Sequence, residues 1–211
     1  MRNLENGAKS FLLGQEYCSQ GNFTEAEKHW LSAVENGHVG AMYNLGVLYG
    51  KQGKPLEAEK FYLLAVEKGD INAMYNLGNF YHKLGILSKT EKYWLLAIEK
   101  GDRNVKLLFE IGVLYEEQGK LSKAKSYYLQ AIERGYVKAM FNLGLLYHTQ
   151  GDFSEAERYY LQAIERDDVN AMFNLGNLYY SQKRLSEAKR YWTLAAKKGS
   201  EGAINNLKFV Q

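Results

Sequence analysis

The six residues "AMYNLG" at Ala41–Gly46 return at Ala73–Gly78, and "AMFNLG" follows at Ala139–Gly144 and Ala171–Gly176. A recurrence at a fixed period constrains a chain more than any local propensity, because every copy has to satisfy the same neighbours. With the closing glycine as anchor, the copies are Gly14, Gly46, Gly78, Gly112, Gly144 and Gly176, at steps of 32, 32, 34, 32 and 32 residues. Three residues on stands a tyrosine in every copy (Tyr17 to Tyr179), and nineteen on an alanine (Ala33 to Ala195). Sixteen on lies a large aromatic: Trp30, Tyr62, Trp94, Tyr128, Tyr160 or Trp192.

Each copy reads as two helices. Met42, Leu45, Gly46 and Tyr49 share one stripe at helical spacing. Gly21, Gly53, Gly85, Gly119 and Gly151 suit a left-handed cap after the first helix, and Lys183 takes that place at modest steric cost. The second helix is expected to open with Thr24, Ser88, Ser122, Ser154 or Ser186 as N-cap. Glu27, Glu91 and Glu157 stand at capping-box spacing from three of these. Small Gly and Ala columns let the paired helices approach, and the aromatic column fills the space beside them. One pair cannot bury its apolar stripe alone, so neighbours must stack.

Composition narrows the function classes. A net charge of +3, with no run of five like charges, argues against a nucleic-acid or membrane surface built on bulk charge. The single cysteine, Cys18, excludes an internal disulfide framework and fits a reducing compartment. No apolar stretch suits a signal peptide or a membrane span, so a cytoplasmic location is expected.

The columns "LGxxY", Gly, "EAExxY" and Ala resemble the tetratricopeptide repeat, while junctions such as "AVEKGDINAMYNLG" are similar to the Sel-one-like repeat. The resemblance runs from about Glu5 to Leu207. It implies an all-α fold, a right-handed superhelical α-solenoid of antiparallel helix pairs in one domain over 1–211. The repeats are placed at 9–40, 41–72, 73–106, 107–138, 139–170 and 171–202, with a capping helix at 203–211. Across "GDRNVKLLFEIG" the step lengthens and Leu107 replaces the usual alanine, so the stacking is expected to change there.

In such folds the outer side of the first helix lines a concave groove. Two residues before each anchor the sequence reads Leu12, Asn44, Asn76, Glu110, Asn142 and Asn174, with Asn206 in the partial seventh copy. Asparagine is a mediocre helix former, but its amide donates and accepts together, as an extended peptide backbone requires. The alternative is that it bonds to the adjoining first helix and sets the repeat spacing. The residue before it is always aromatic: Phe11, Tyr43, Tyr75, Phe109, Phe141 or Phe173. These rings either wedge between successive helices or form an apolar strip for ligand side chains. Val47, Asn79, Val113, Leu145 and Asn177, then His82, Glu116, His148 and Tyr180, vary while the core columns do not, as a selective surface would.

No constellation for chemistry accompanies this surface. The four histidines make no zinc-ligand pattern with Cys18, the glycines recur at repeat spacing rather than in a phosphate loop, and "EAEK" mixtures read as solvated helix faces. The lysine and arginine of the family's carboxylate clamp are missing, with Phe11 and Asn76 in their places. The expectation is therefore a noncatalytic protein–protein interaction scaffold, without cofactor or metal, that binds an extended peptide in its groove. Its groove residues are expected to include Tyr43, Asn44, Tyr75, Asn76, Asn79, His82, Phe109, Glu110, Phe141, Asn142, His148, Phe173, Asn174 and Asn177. Glu110, in place of the usual amide, suggests a ligand with a basic residue near mid-groove. The chain is expected to be a monomer or weak homo-oligomer. Rival readings are an RNA-binding helical repeat, for which Lys51, Lys83, Lys106 and Lys138 make a sparse track, and a purely structural or self-associating solenoid, natural or engineered.

Overall fold

A computed structural model describes residues 2–210, with side chains from Glu5 onward. The described residues form thirteen helices and no strand. They divide into two compact halves, Met1–Arg103 and Asn104–Gln211, and the boundary falls inside the lengthened step. The N-terminal half holds α1 (Arg2–Ser19), α2 (Phe23–Glu35), α3 (Val39–Lys51), α4 (Pro55–Glu67), α5 (Ile71–Lys83) and α6 (Leu87–Glu99). The C-terminal half holds α7 (Val105–Glu117), α8 (Leu121–Glu133), α9 (Val137–Thr149), α10 (Phe153–Ile164), α11 (Val169–Ser181), α12 (Leu185–Lys197) and α13 (Glu201–Phe209). Odd and even helices pack as pairs, and within each half every pair packs on the next, which is the expected solenoid arrangement.

The anchor glycines sit where two helices meet. A Cβ built on Gly46 would stand 2.6 Å from the Tyr62 ring, closer than any side chain tolerates, and Gly78 is crowded in the same way by Trp94. The alanine columns Ala26, Ala58, Ala124, Ala156 and Ala188 are fully buried opposite them. Gly53 (φ 70°) and its equivalents end the first helices in the left-handed region, and Lys183 (φ 63°) adopts the same conformation.

The second helices start two residues earlier than expected. Asn22 and Asp152 are the N-caps of α2 and α10, accepting from the amides of Glu25 and Glu155, while Lys54, Ile86, Lys120 and Arg184 precede their helices without a side-chain cap bond. The left-handed glycine turns the chain so tightly that the next residue already caps a helix. The Asn22 amide, for instance, returns to the Tyr17 carbonyl at 2.9 Å. Thr24 and the serine column consequently lie inside the first turn.

Candidate functional site

The asparagine column lies half-buried on the first helix of each pair. Asn44 Nδ2 donates to Gln15 Oε1 on α1 at 3.4 Å, and Asn76 Nδ2 donates to the Tyr43 hydroxyl on α3 at 3.0 Å. Asn142 lies beside the Tyr128 phenol on α8 and favours its ionised form, and Asn206 Nδ2 donates to Asn177 Oδ1 on α11 at 3.0 Å. The bonds of Asn44, Asn76 and Asn206 tie their copies to the one before, as the spacing role requires. They use the amide nitrogen, and the Oδ1 atoms of Asn44 and Asn76 accept nothing among the described residues. The Asn174 side chain makes no hydrogen bond among the described residues. Glu110 is held by Lys106, one turn earlier on α7, at 2.9 Å.

The aromatic column fills the joints. Phe11 stacks on His38 at 4.2 Å, Tyr43 lies 6.4 Å from Tyr62, and Phe141 lies 6.1 Å from Tyr160. Phe109 sits between Tyr128 (5.8 Å) and Tyr136 (5.1 Å). Phe173 closes over Gly202, where a Cβ would come within 2.9 Å of the ring. All of these rings, and Tyr75, are half-buried, so each also keeps an edge at the surface.

The two variable columns follow the ring across the seam. Asn79 Oδ1 accepts from Trp94 Nε1, and Asn177 Oδ1 from Trp192 Nε1, each at 3.0 Å. Where the ring is Tyr62, Tyr128 or Tyr160, the residue is the apolar Val47, Val113 or Leu145. One turn on, exposed His82 packs 5.2 Å from Trp94, Tyr180 packs 5.4 Å from Trp192, and Glu116 accepts from the Tyr128 hydroxyl at 2.5 Å. His148 Nδ1 meets the Tyr160 hydroxyl at 3.4 Å. Burial, and for Tyr128 the neighbouring Glu116, push both phenols well above their usual value.

A second set of polar contacts was not anticipated. The Tyr49 hydroxyl donates to Glu27 at 2.7 Å, Tyr81 to Glu59, and Tyr179 to Glu157 at 2.7 Å. The acceptor is the second glutamate of "EAE" in the preceding repeat, so these half-buried residues are inter-repeat ties and not part of a capping box. A cation roofs each of these tyrosine rings: Lys54 at 5.3 Å from Tyr49, Lys89 at 4.4 Å from Tyr81 and Arg184 at 4.1 Å from Tyr179. The signal was present in the sequence as a tyrosine 22 residues after a glutamate, repeated.

No described helix is long and apolar enough to cross a membrane, and the described residues contain no cluster of His, Cys, Asp and Glu that could hold a metal ion.

A tetratricopeptide repeat model matches residues 11–72, 109–168 and 149–203, and a Sel1 repeat model matches 71–102. No curated protein sequence matches the chain. Among solved structures, YrrB, described as a tetratricopeptide repeat protein with an unusual peptide-binding site, is 21% identical with a TM-score of 0.67, over 85% of this chain and 97% of that one. The pilF protein of Pseudomonas aeruginosa is 17% identical with a TM-score of 0.66, over 97% of this chain and 98% of that one. A Sel1 repeat protein from Oxalobacter formigenes is 25% identical with a TM-score of 0.58, over 92% of this chain and 86% of that one. The tetratricopeptide matches span most of the sequence and coincide with the pairs of helices described above, and the chain belongs to the tetratricopeptide repeat family.

Proposed function

We propose that the chain is a noncatalytic cytoplasmic scaffold that binds an extended peptide segment of a partner protein in a concave groove, along the first-helix face of its repeats. Tetratricopeptide and Sel1 repeats commonly mediate protein–protein interaction. The observation that carries the finer reading is the half-used amide column. Asn44 and Asn76 keep free Oδ1 acceptors at a fixed repeat, and Asn174 keeps its whole amide. Such acceptors match the N–H groups of an extended backbone, while the exposed edges of Tyr43, Tyr75, Phe109, Phe141 and Phe173 offer apolar contact to its side chains. The peptide-binding site in the description of YrrB is consistent with this use of the fold. A basic ligand residue near Glu110 would share that carboxylate with Lys106.

The test is selection from a library of unstructured peptides on the immobilised chain, followed by calorimetry with the selected peptides. Asn174→Ala is expected to weaken binding by about 1 kcal/mol, roughly fivefold, without lowering the melting temperature. Asn76→Ala should weaken binding and also loosen the α3–α5 joint, because it removes the bond to Tyr43. If no peptide is selected, or Asn174→Ala binds every selected peptide unchanged, the groove reading fails.

A further inference from the structure

The second helices of the N-terminal half carry a face that the groove does not use. On α4, Leu56, Lys60, Leu63, Leu64 and Glu67 fall on one side, opposite the buried Ala58, Phe61, Tyr62 and Ala65. Leu56 is 77% exposed, and it lines a shallow depression of about 390 Å³ with Glu59, Lys60, Leu63, Leu64 and Glu67. Lys60 and Glu67 are seven residues apart, too far to pair within one helix, and neither has an ion-pair partner among the described residues.

The order of these residues is self-complementary. Laid antiparallel on a second α4 with the centre between Leu63 and Leu64, Leu63 faces Leu64 of the other copy and Lys60 faces its Glu67. Each contact occurs twice, as an isologous two-fold interface requires. The pattern extends across the half: "KHWLSAVE", "KFYLLAVE" and "KYWLLAIE" on α2, α4 and α6 place Lys28, Lys60 and Lys92 seven residues before Glu35, Glu67 and Glu99. The C-terminal half keeps this spacing only on α10, where Arg158 stands seven residues before Glu165 and is already paired with Glu155 of its own helix. Its corresponding segments are "SYYLQAIE", "RYYLQAIE" and "RYWTLAAK", each with a glutamine or a threonine in one leucine position, as α2 has Ser32, so only α4 and α6 carry both leucines.

We propose that the outer face of the N-terminal half is a homodimer interface, with α4 packing antiparallel on α4 of a second copy. The leucines form its apolar centre, and reciprocal Lys60–Glu67 pairs flank them and fix the direction. The ion pairs select the register, because a parallel arrangement would bring Lys60 onto Lys60 and Glu67 onto Glu67.

Sedimentation velocity of the full chain over a concentration series tests this. Dimer is expected to appear at tens of micromolar, the affinity of a small interface. Lys60→Glu alone and Glu67→Lys alone are each expected to weaken association at least about tenfold, since each sets two like-charge pairs across the two-fold axis. The double variant K60E/E67K is expected to recover it, and an equimolar mixture of the two single variants to form a heterodimer. Circular dichroism of each variant establishes that the helices persist. A chain that is monomeric at every concentration overturns the proposal. So does association that ignores both single variants, or a double variant that stays as weak as the singles.

Discussion

At Trp94 and Trp192 the indole N–H is turned inward between two helices, where Asn79 and Asn177 accept it. At Tyr62, Tyr128 and Tyr160 the same position beside the anchor is valine or leucine, and for Tyr128 and Tyr160 the phenol reaches past it to Glu116 and His148 near the rim. The tryptophan seam needs a polar group deep in the joint, whereas the tyrosine seam needs one at its edge. The first repeat combines a tryptophan with the wrong partner. Trp30 stands with Gln15, whose carbonyl accepts from Asn44, and Trp30 Nε1 is buried without a hydrogen bond among the described residues. Variation beside the anchor therefore follows the ring across the seam. A column that varies while the core stays constant is, in this chain, part of the core's own complementarity.

At high pH the tyrosine seams carry a loss that the tryptophan rings do not, beside the one shared by Tyr49, Tyr81 and Tyr179, whose phenols burial and a neighbouring glutamate also raise. Burial holds Tyr62 up to about 12, and Tyr128 and Tyr160 higher still. An unfolded phenol ionises near 10, so the stability these groups contribute is complete below about pH 10 and falls as pH rises through the folded values, by about 1.4 kcal/mol per pH unit for each. Helicity followed by circular dichroism is expected to collapse above pH 10. Tyr160→Phe removes one such group and should lessen the loss of stability above pH 10 in urea unfolding, while Trp192→Phe removes none and should lower stability alike on both sides of pH 10.

The anchor comes next. Gly78→Ala forces a methyl into the Trp94 ring and is expected to cost about 2–3 kcal/mol in urea unfolding. Gly50→Ala, where a Cβ would lie 3.9 Å from the Tyr62 hydroxyl and meet nothing closer, is expected to gain about 0.5–1 kcal/mol. Equal effects at the two glycines would show that helix propensity alone sets the column.

Asn79→Val strands the Trp94 N–H and is expected to cost about 1–3 kcal/mol. Adding Trp94→Tyr converts the seam to the other type and should restore much of the loss. A double variant no better than the sum of its singles would break the comparison. The smallest effect is a repair. Gln15→Asn brings a carbonyl to the place Asn79 occupies in its own repeat, and is expected to stabilise by about 1 kcal/mol by satisfying Trp30.

The helix pairs, the glycine at each crossing and the left-handed caps were legible because one column of residues reports one backbone position. The helix starts were not: Thr24 and Ser154 are good caps by type, but a glycine turn ending at Gly21 or Gly151 leaves room for only Asn22 or Asp152. In the candidate site the asparagine and aromatic columns stood out in the sequence, and the bonds they make across the joints did not. Asn44 and Asn76 each bond across the joint between pairs. Asn79 and Asn177 answer a tryptophan fifteen residues away, a pairing visible only when two columns are compared row by row. The tyrosine–glutamate ties escaped notice because their partners belong to different repeats, and charge patterning within one helix gives no hint of them.

Those ties bear on how the stack comes apart. Along the C-terminal half, Glu157 holds Tyr179, but the residue that should hold Tyr147 is Lys125, which lies over the ring at 4.0 Å and offers the hydroxyl no carboxylate. A row of identical couplings has no preferred place to part, and one altered coupling creates one. Thermal breathing of the C-terminal half would concentrate at the α8–α9 joint, so that hydrogen exchange and proteases enter there while α11 and α12 remain closed.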